Sequence, residues 1–207
     1  MHTSRRLAEP HRCVSLARAR HKVKLIILQS AVANSAGPDS LCLLYLIADL
    51  ITRADGTRGL PKEVWSFHIN HNLQPANFHM AMQANKAAHS VGALSYSLHI
   101  PWGIKPFPPK PDKGDPVEEL ARSARSNRLL HAMYDTDTRC IAYGHHADDQ
   151  VETSIMRLIQ GSGDVGVAGM RPIRRWGMGQ NGIDHAGARG MDRWVIRPLL
   201  EVPKVRI

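Results

Sequence analysis

From residue 23 onward the chain alternates short apolar runs with longer helical stretches, and few folds accommodate that order. Val23-Lys-Leu-Ile-Ile-Leu28, continuing through Ala31-Val32-Ala33, is apolar and β-branched enough for a buried strand. It runs into a loop by composition, Asn34-Ser-Ala-Gly-Pro-Asp-Ser40. A broadly apolar helix follows from Leu41 to Ile51, closed by Asp55-Gly56, with Asp39 or Ser40 as candidate N-cap. Val64–Ile69 reads as a strand, residues 78–91 as a helix closed by Gly92, and Leu94–Ile100 as a strand. Pro101 to Pro116 holds six of the thirteen prolines and reads as an irregular connection. Asp115-Pro116 then starts a helix to about Tyr134, with proline at the first helical position. Cys140–Tyr143 (strand), Asp148–Gln160 (helix) and Trp194–Ile196 (strand) complete the series, around glycine-rich stretches at 161–169 and 176–190. Such alternation predicts an α/β fold, a doubly wound and mainly parallel sheet with helices on both faces.

The net charge of +9 is unevenly placed. Residues 1–24 carry seven Lys/Arg against one acid, Glu9, giving +6 and leaving +3 for the rest. Residues 1–22 thus read as a basic arm ahead of a catalytic domain over 23–207. The arm has the composition of a mitochondrial transit segment and equally that of a basic tail touching RNA phosphates. Cys13, Cys42 and Cys140 are scattered and form no C-x-x-C, which fits a reducing compartment, cytoplasmic or mitochondrial. The longest apolar run, Leu41–Leu50, is broken by Asp49 and is half of what a bilayer span needs, so no membrane partner is expected.

Ser35-Ala-Gly-Pro-Asp-Ser40 lies where an open parallel sheet binds ligands, beyond the carboxyl end of a strand. Gly37 lets the backbone approach an anion, the helix N-terminus offers free N–H groups, and Ser35 and Ser40 supply hydroxyls. Asp39 suits a magnesium ion bridging phosphate oxygens. A capped turn explains the same residues, and both readings stand at this level. The segment is neither a Walker-type loop nor a dinucleotide fingerprint. Farther on, Gly144-His-His-Ala-Asp-Asp-Gln-Val-Glu-Thr153 opens a helix with Asp148, Asp149 and Glu152 crowding its first turns. That reads as a well-capped helix with two incidental histidines, or as a ligand site. The spacing is weak for zinc.

The first loop resembles the S-G-G-x-D-S pyrophosphate loop of the N-type ATP pyrophosphatase family, with Ala36 replacing the first glycine. His145-His-Ala-Asp-Asp-Gln-Val-Glu-Thr153, then Arg157–Gly163 and Gly169-Met170, resemble tRNA(Ile)-lysidine synthetases. Three more pieces occur in that family's order. Ile69-Asn-His-Asn-Leu73 resembles V-D-H-G-L, with Asn70 and Asn72 as departures. Glu118–Arg125 resembles E-x-x-A-R-x-A-R, and Ile196–Leu200 matches x-R-P-L-L.

The resemblance implies a ligase that uses ATP to adenylate the wobble cytidine of an isoleucine tRNA, then joins free lysine to give lysidine. Ser35, Ala36, Gly37, Pro38, Asp39 and Ser40 would cradle pyrophosphate, with Asp39 and Asp148 on Mg2+. Asp149 and Glu152, three apart on a helix, would share a face toward lysine's ammonium groups and accept a proton. His145 would contact the nucleotide. Arg122 and Arg125 would meet ATP phosphate, and Arg128, Arg171 and Arg174 the RNA. Family members carry C-terminal tRNA-binding domains, for which this length leaves no room. Pro203–Ile207 reads as a further helix beginning, so the chain reads as cut short. Whether two copies pair as a homodimer is left open. Two alternatives remain at this stage. One is a thiolase of the same fold, which commonly carries a cysteine pair absent here. The other is a degenerate nucleotide- or tRNA-binding member, suggested by Ala36, Asn70 and Asn72.

Overall fold

The computed structural model describes residues 30–53, 63–74, 77–161, 169–179, 182–183 and 187–204. The predicted strand over Val23–Leu28, the basic arm, Cys13 and residues 205–207 lie outside them. Elements follow in the order β1 (Ser30–Ala33), α1 (Pro38–Arg53), β2 (Trp65–Asn70), α2 (Asn77–Ser90), β3 (Leu94–His99), α3 (Val117–Asp135), β4 (Cys140–Ala142) and α4 (Ala147–Ile159). After them come β5 (Ile173–Arg175), β6 (Met178–Gly179), β7 (Gly182–Ile183), a short 3-10 turn (Gly187–Gly190) and β8 (Trp194–Ile196).

The main sheet has the strand order β3-β2-β1-β4-β8-β5. Its first five strands are parallel, and β5 pairs antiparallel with β8 at the edge. Successive strands move outward from β1 to β3, then the chain returns to place β4 on the other side of β1. The crossover leaves a crevice beyond the carboxyl ends of β1 and β4, where ligands bind in such sheets.

Strand residues alternate between two buried faces, as a doubly covered sheet requires. Val32, Cys140, Ala142 and Ile196 pack with Leu43, Leu44, Leu46, Ile47 and Ala88 of α1 and α2. Ala31, Phe67, Ile69, Ile141 and Val195 pack on the opposite face with Leu129, Leu130 and Met133 of α3. Gly92 takes a positive φ of 71° and closes α2, as predicted.

Two predicted helix starts are corrected. α1 begins at Pro38, so Asp39 and Ser40 lie inside its first turn and neither is the N-cap. Proline's fixed φ suits that first helical position. Pro116, by contrast, stands at the N-cap of α3, with ψ of 73° and no side-chain capping bond. The proline-rich connection of 101–116 is pinned by buried Phe107, which meets the His131 ring edge-on at 5.7 Å. Trp102 Nε1 also donates to His71 O at 2.8 Å.

Candidate active site

Asn34 organises the loop that follows β1. Its side chain is buried; Nδ2 donates to Ser66 Oγ at 3.0 Å, and Oδ1 accepts from the Ala36 N–H at 2.9 Å. Ser40 Oγ donates to Gly37 O at 2.9 Å and accepts from the Ser35 N–H at 3.2 Å, folding the loop on itself. Ala36 holds φ at 64°, a left-handed conformation that glycine adopts freely and alanine does not. Asn72, the departure in the second segment, likewise has φ 53°, which asparagine tolerates better.

The third segment touches this loop through backbone. A Cβ on Gly144 would lie 2.9 Å from Asp39 C and O and 3.0 Å from Ser40 N. The end of β4 can approach the loop that closely only as glycine. His146, read from sequence as incidental, is the N-cap of α4. Its Nδ1 accepts from the Asp149 N–H at 3.4 Å, and Asp149 Oδ2 accepts from the His146 N–H at 2.9 Å. This reciprocal capping ties Asp149 to the helix start. His146 Nε2 also lies 3.8 Å from Asp39 Oδ2. One turn along α4, Gln150 clamps the backbone of Met170, with Nε2 donating to its O at 3.0 Å and Oε1 accepting from its N–H at 2.7 Å.

Two adjoining compartments open at the crevice. The first, about 360 Å³, is lined by Ser35, Asp39 and Ser40 together with the apolar Phe67, Ile69, Met80 and Leu129. The second, about 540 Å³, is lined by Glu152, Thr153 and Met156 of α4 and by Arg122, Arg157, Arg171, Arg174 and Arg197. Arg125, Tyr143, His145 and Asp149 line both and form their common wall. The Tyr143 and His145 rings stack at 5.5 Å and 20°.

The electrostatics of the two spaces differ. Burial, reinforced by the Arg197 charge, pushes the His145 imidazole down to about 4, so it is neutral near pH 7. Arg197 is itself brought down to about 10 by burial and by Arg174, and its Nε is buried without a partner among the described residues. A crowded set of guanidinium groups beside three carboxylates, Glu118 (3.2 Å from Arg122), Asp149 and Glu152, suits an anionic ligand with a cationic portion.

The structure thus brings together Ser35, Asp39, Ser40, His145, Arg122, Arg125, Asp149, Glu152, Arg171 and Arg174. It leaves Arg128 outside both compartments, its Nε donating to His99 O at 3.1 Å. Asp148 is outside as well, with Oδ1 accepting from the Lys204 N–H at 3.3 Å. Ala36, Gly37 and Pro38 shape the loop without lining either space. Among the described residues no group of three or more His, Cys, Asp or Glu could hold a metal alone. Magnesium does not need one, because it takes one or two carboxylates plus substrate phosphates, and Asp39 supplies that donor at the loop. Sequence reasoning passed over Asn34, His68, Asn77, Tyr143 and Lys204, and took His71 and Arg197 only as parts of motifs. His68 offered no signal beyond being one polar position in a predicted strand.

The sheet order, the loop at its switch point and the apolar space beside it define a nucleotide-binding α/β protein. Residues 16–207 match the PP-loop domain family, and the chain belongs to it. Membership implies ATP as the nucleotide. Among curated relatives, it is 34% identical over 176 residues to a tRNA(Ile)-lysidine synthase of Alkalilimnicola ehrlichii, covering 85% of this chain and 33% of that protein. A tRNA(Ile)-lysidine synthase of Bradyrhizobium is 33% identical over 85% of this chain and 42% of its own length. A bifunctional protein TilS/HprT of Listeria monocytogenes is 32% identical over 85% of this chain and 24% of its own. The chain therefore spans less than half the length of these relatives. The fold is shared with the U34-tRNA thiolase NcsA of Methanococcus maripaludis, at a TM-score of 0.65 and 17% identity, over 92% of this chain and 60% of that one. No helix among the described residues is long and apolar enough to cross a membrane.

Proposed function

We propose that this chain carries the ATP-dependent adenylating and ligating centre of a tRNA(Ile)-lysidine synthase. The observation that supports this most is the pair of compartments with a common wall of Arg125, Tyr143, His145 and Asp149. ATP occupies the first, with its triphosphate on the Ser35–Ser40 loop and the N-terminus of α1. The wobble cytidine of the isoleucine tRNA and free lysine enter the second. At the wall, the cytosine carbonyl oxygen attacks the α-phosphorus, the bond to the β-phosphate oxygen breaks, and pyrophosphate leaves. The lysine ε-amine then attacks the activated ring carbon, AMP departs, and the amine proton passes to Asp149 or Glu152. Those carboxylates also hold lysine's ammonium charge. Arg122 and Arg125 meet phosphate oxygens, and Arg171 and Arg174 meet the RNA backbone. Bound Mg2+ would spread charge across the phosphate oxygens, with Asp39 as its protein ligand.

ATP–pyrophosphate exchange tests this, run with magnesium, lysine and an isoleucine tRNA bearing a wobble cytidine, and with each omitted in turn. Exchange that requires the tRNA but not lysine, and vanishes in Asp39→Ala, is expected. Exchange without any tRNA would overturn the assignment. Glu152→Gln should retain exchange and lose lysine incorporation.

A further inference from the structure

His68 is 3% exposed, sits on β2 between β3 and β1, and lines the first compartment beside the phosphate loop. Its Nδ1 lies 2.8 Å from the carbonyl oxygen of Asn34. A carbonyl offers no proton, so Nδ1 must carry the hydrogen and donate it. Burial holds the ring below the ordinary histidine range, so it is neutral at working pH. The tautomer is therefore set, and Nε2 is left as a lone-pair acceptor that cannot donate. That atom is buried and has no hydrogen-bond partner among the described residues.

The neighbourhood shows the same need. His71 Nδ1, His145 Nδ1 and Asn77 Nδ2 are also buried without partners among the described residues, and all three residues line this compartment. Buried polar atoms are ordinarily paired, and leaving one unpaired costs about 1–3 kcal/mol. Four of them around one space that also has Phe67, Ile69 and Leu129 walls describe a pocket for a flat, partly polar group.

We infer that His68 Nε2 accepts a hydrogen bond from the nucleoside portion of ATP and so selects among nucleotides. The shared chemistry is a donor on the ligand, either the exocyclic amine of adenine or a ribose hydroxyl. A base with a carbonyl in place of that amine would set oxygen lone pairs against those of Nε2. Rotating the ring to relieve this would abandon the bond to Asn34, whose side chain shapes the phosphate loop. His68 thereby couples nucleoside fit to the loop. The inference rests on ATP binding in the first compartment, and it does not depend on the RNA or on lysine.

Calorimetric binding of ATP, inosine triphosphate, 2′-deoxy-ATP and 3′-deoxy-ATP to the chain with magnesium tests it. Wild-type protein should bind one class of analogue about 10-fold or more weakly than ATP, since an unpaired buried acceptor rejects a ligand lacking the donor. Weak inosine triphosphate identifies the amine, and weak deoxy analogues identify the hydroxyl. His68→Leu should abolish that discrimination, whereas His68→Gln, which keeps a donor and an acceptor, should retain most of it. Equal affinity for all four nucleotides in the wild type would overturn the inference even if His68→Leu fails to fold. Absence of ATP binding altogether would instead overturn the placement of ATP on which it rests.

Discussion

Lys204 Nζ lies 3.0 Å from Asp39 Oδ2, although 165 residues separate the two in sequence. The same lysine's backbone N–H meets Asp148, so both carboxylates expected to face magnesium are in contact with one residue. Both side chains are partly exposed, 44% and 38%, and such a pair contributes little to stability, about 1 kcal/mol or less. Its weight falls on binding. A triphosphate offers the ammonium a stronger partner than one carboxylate does, and it arrives at the loop where Asp39 stands. Lys204→Met should weaken ATP binding about 5–10-fold with unfolding almost unchanged, a charge-assisted hydrogen bond being the interaction lost. Calorimetry with ATP would check this; unchanged or tighter binding would sink it.

Ala36→Gly should stabilise the protein. Alanine at φ 64° carries steric strain of about 1–2 kcal/mol that glycine lacks, against a smaller entropic cost in the unfolded chain. The expected gain of about 0.5–1 kcal/mol corresponds to a rise in Tm of about 1–4 °C. Differential scanning calorimetry reads it directly, and a lower Tm would contradict the strain.

Gly144→Ala should act in the opposite direction. The added methyl would press on the backbone of Asp39 and Ser40, atoms that no rotamer change can move aside. We expect a loss of about 1–3 kcal/mol in urea unfolding together with weaker ATP binding. An effect on stability without any effect on ATP would show that the loop absorbs the displacement.

Acid should destabilise the chain in a defined window. His145 is held near 4 in the folded protein against about 6.5 when unfolded, so the unfolded state binds more protons between those values. Stability is complete above pH 6.5, falls as pH drops toward 4, and levels off for this group below that. Burial lowers His68 and His71 in the same direction. Urea midpoints measured from pH 7 to pH 4 should therefore fall, and less steeply in His145→Gln. An identical slope in the variant would assign the effect elsewhere.

Much of the architecture was legible because each strand and helix carries its own periodicity. β5 was not: Ile173-Arg-Arg175 is three residues long, mostly charged, and paired only at the sheet edge, so no alternation could reveal it. Ser35, Asp39, Ser40, Asp149 and Glu152, which line the two compartments, could be singled out from residue type and order, whereas Asp148 on the same helix turns away to Lys204. His68 could not be, for a physical reason. Trp65–Asn70 alternates polar with apolar, which by itself suggests one wet face. Yet β2 sits between β1 and β3 with both faces covered, and Ser66 and His68 are buried. Their partner, Asn34, is 32 residues from Ser66 and 34 from His68, beyond the reach of any local pattern.

Asn34 has a consequence for how this protein opens. Its main-chain N–H is bound to Phe67 O at 2.8 Å, its carbonyl to His68, and its amide to Ser66, all on the neighbouring strand. The Ala36 amide is therefore held by a buried side chain that is itself tied to β2: releasing it means turning Asn34 out of its bond to Ser66. Most glycine-bearing surface turns exchange their amide hydrogens by small local excursions. The Ala36 amide should exchange more slowly than the exposed Gly37 amide beside it, because its acceptor is anchored in the sheet.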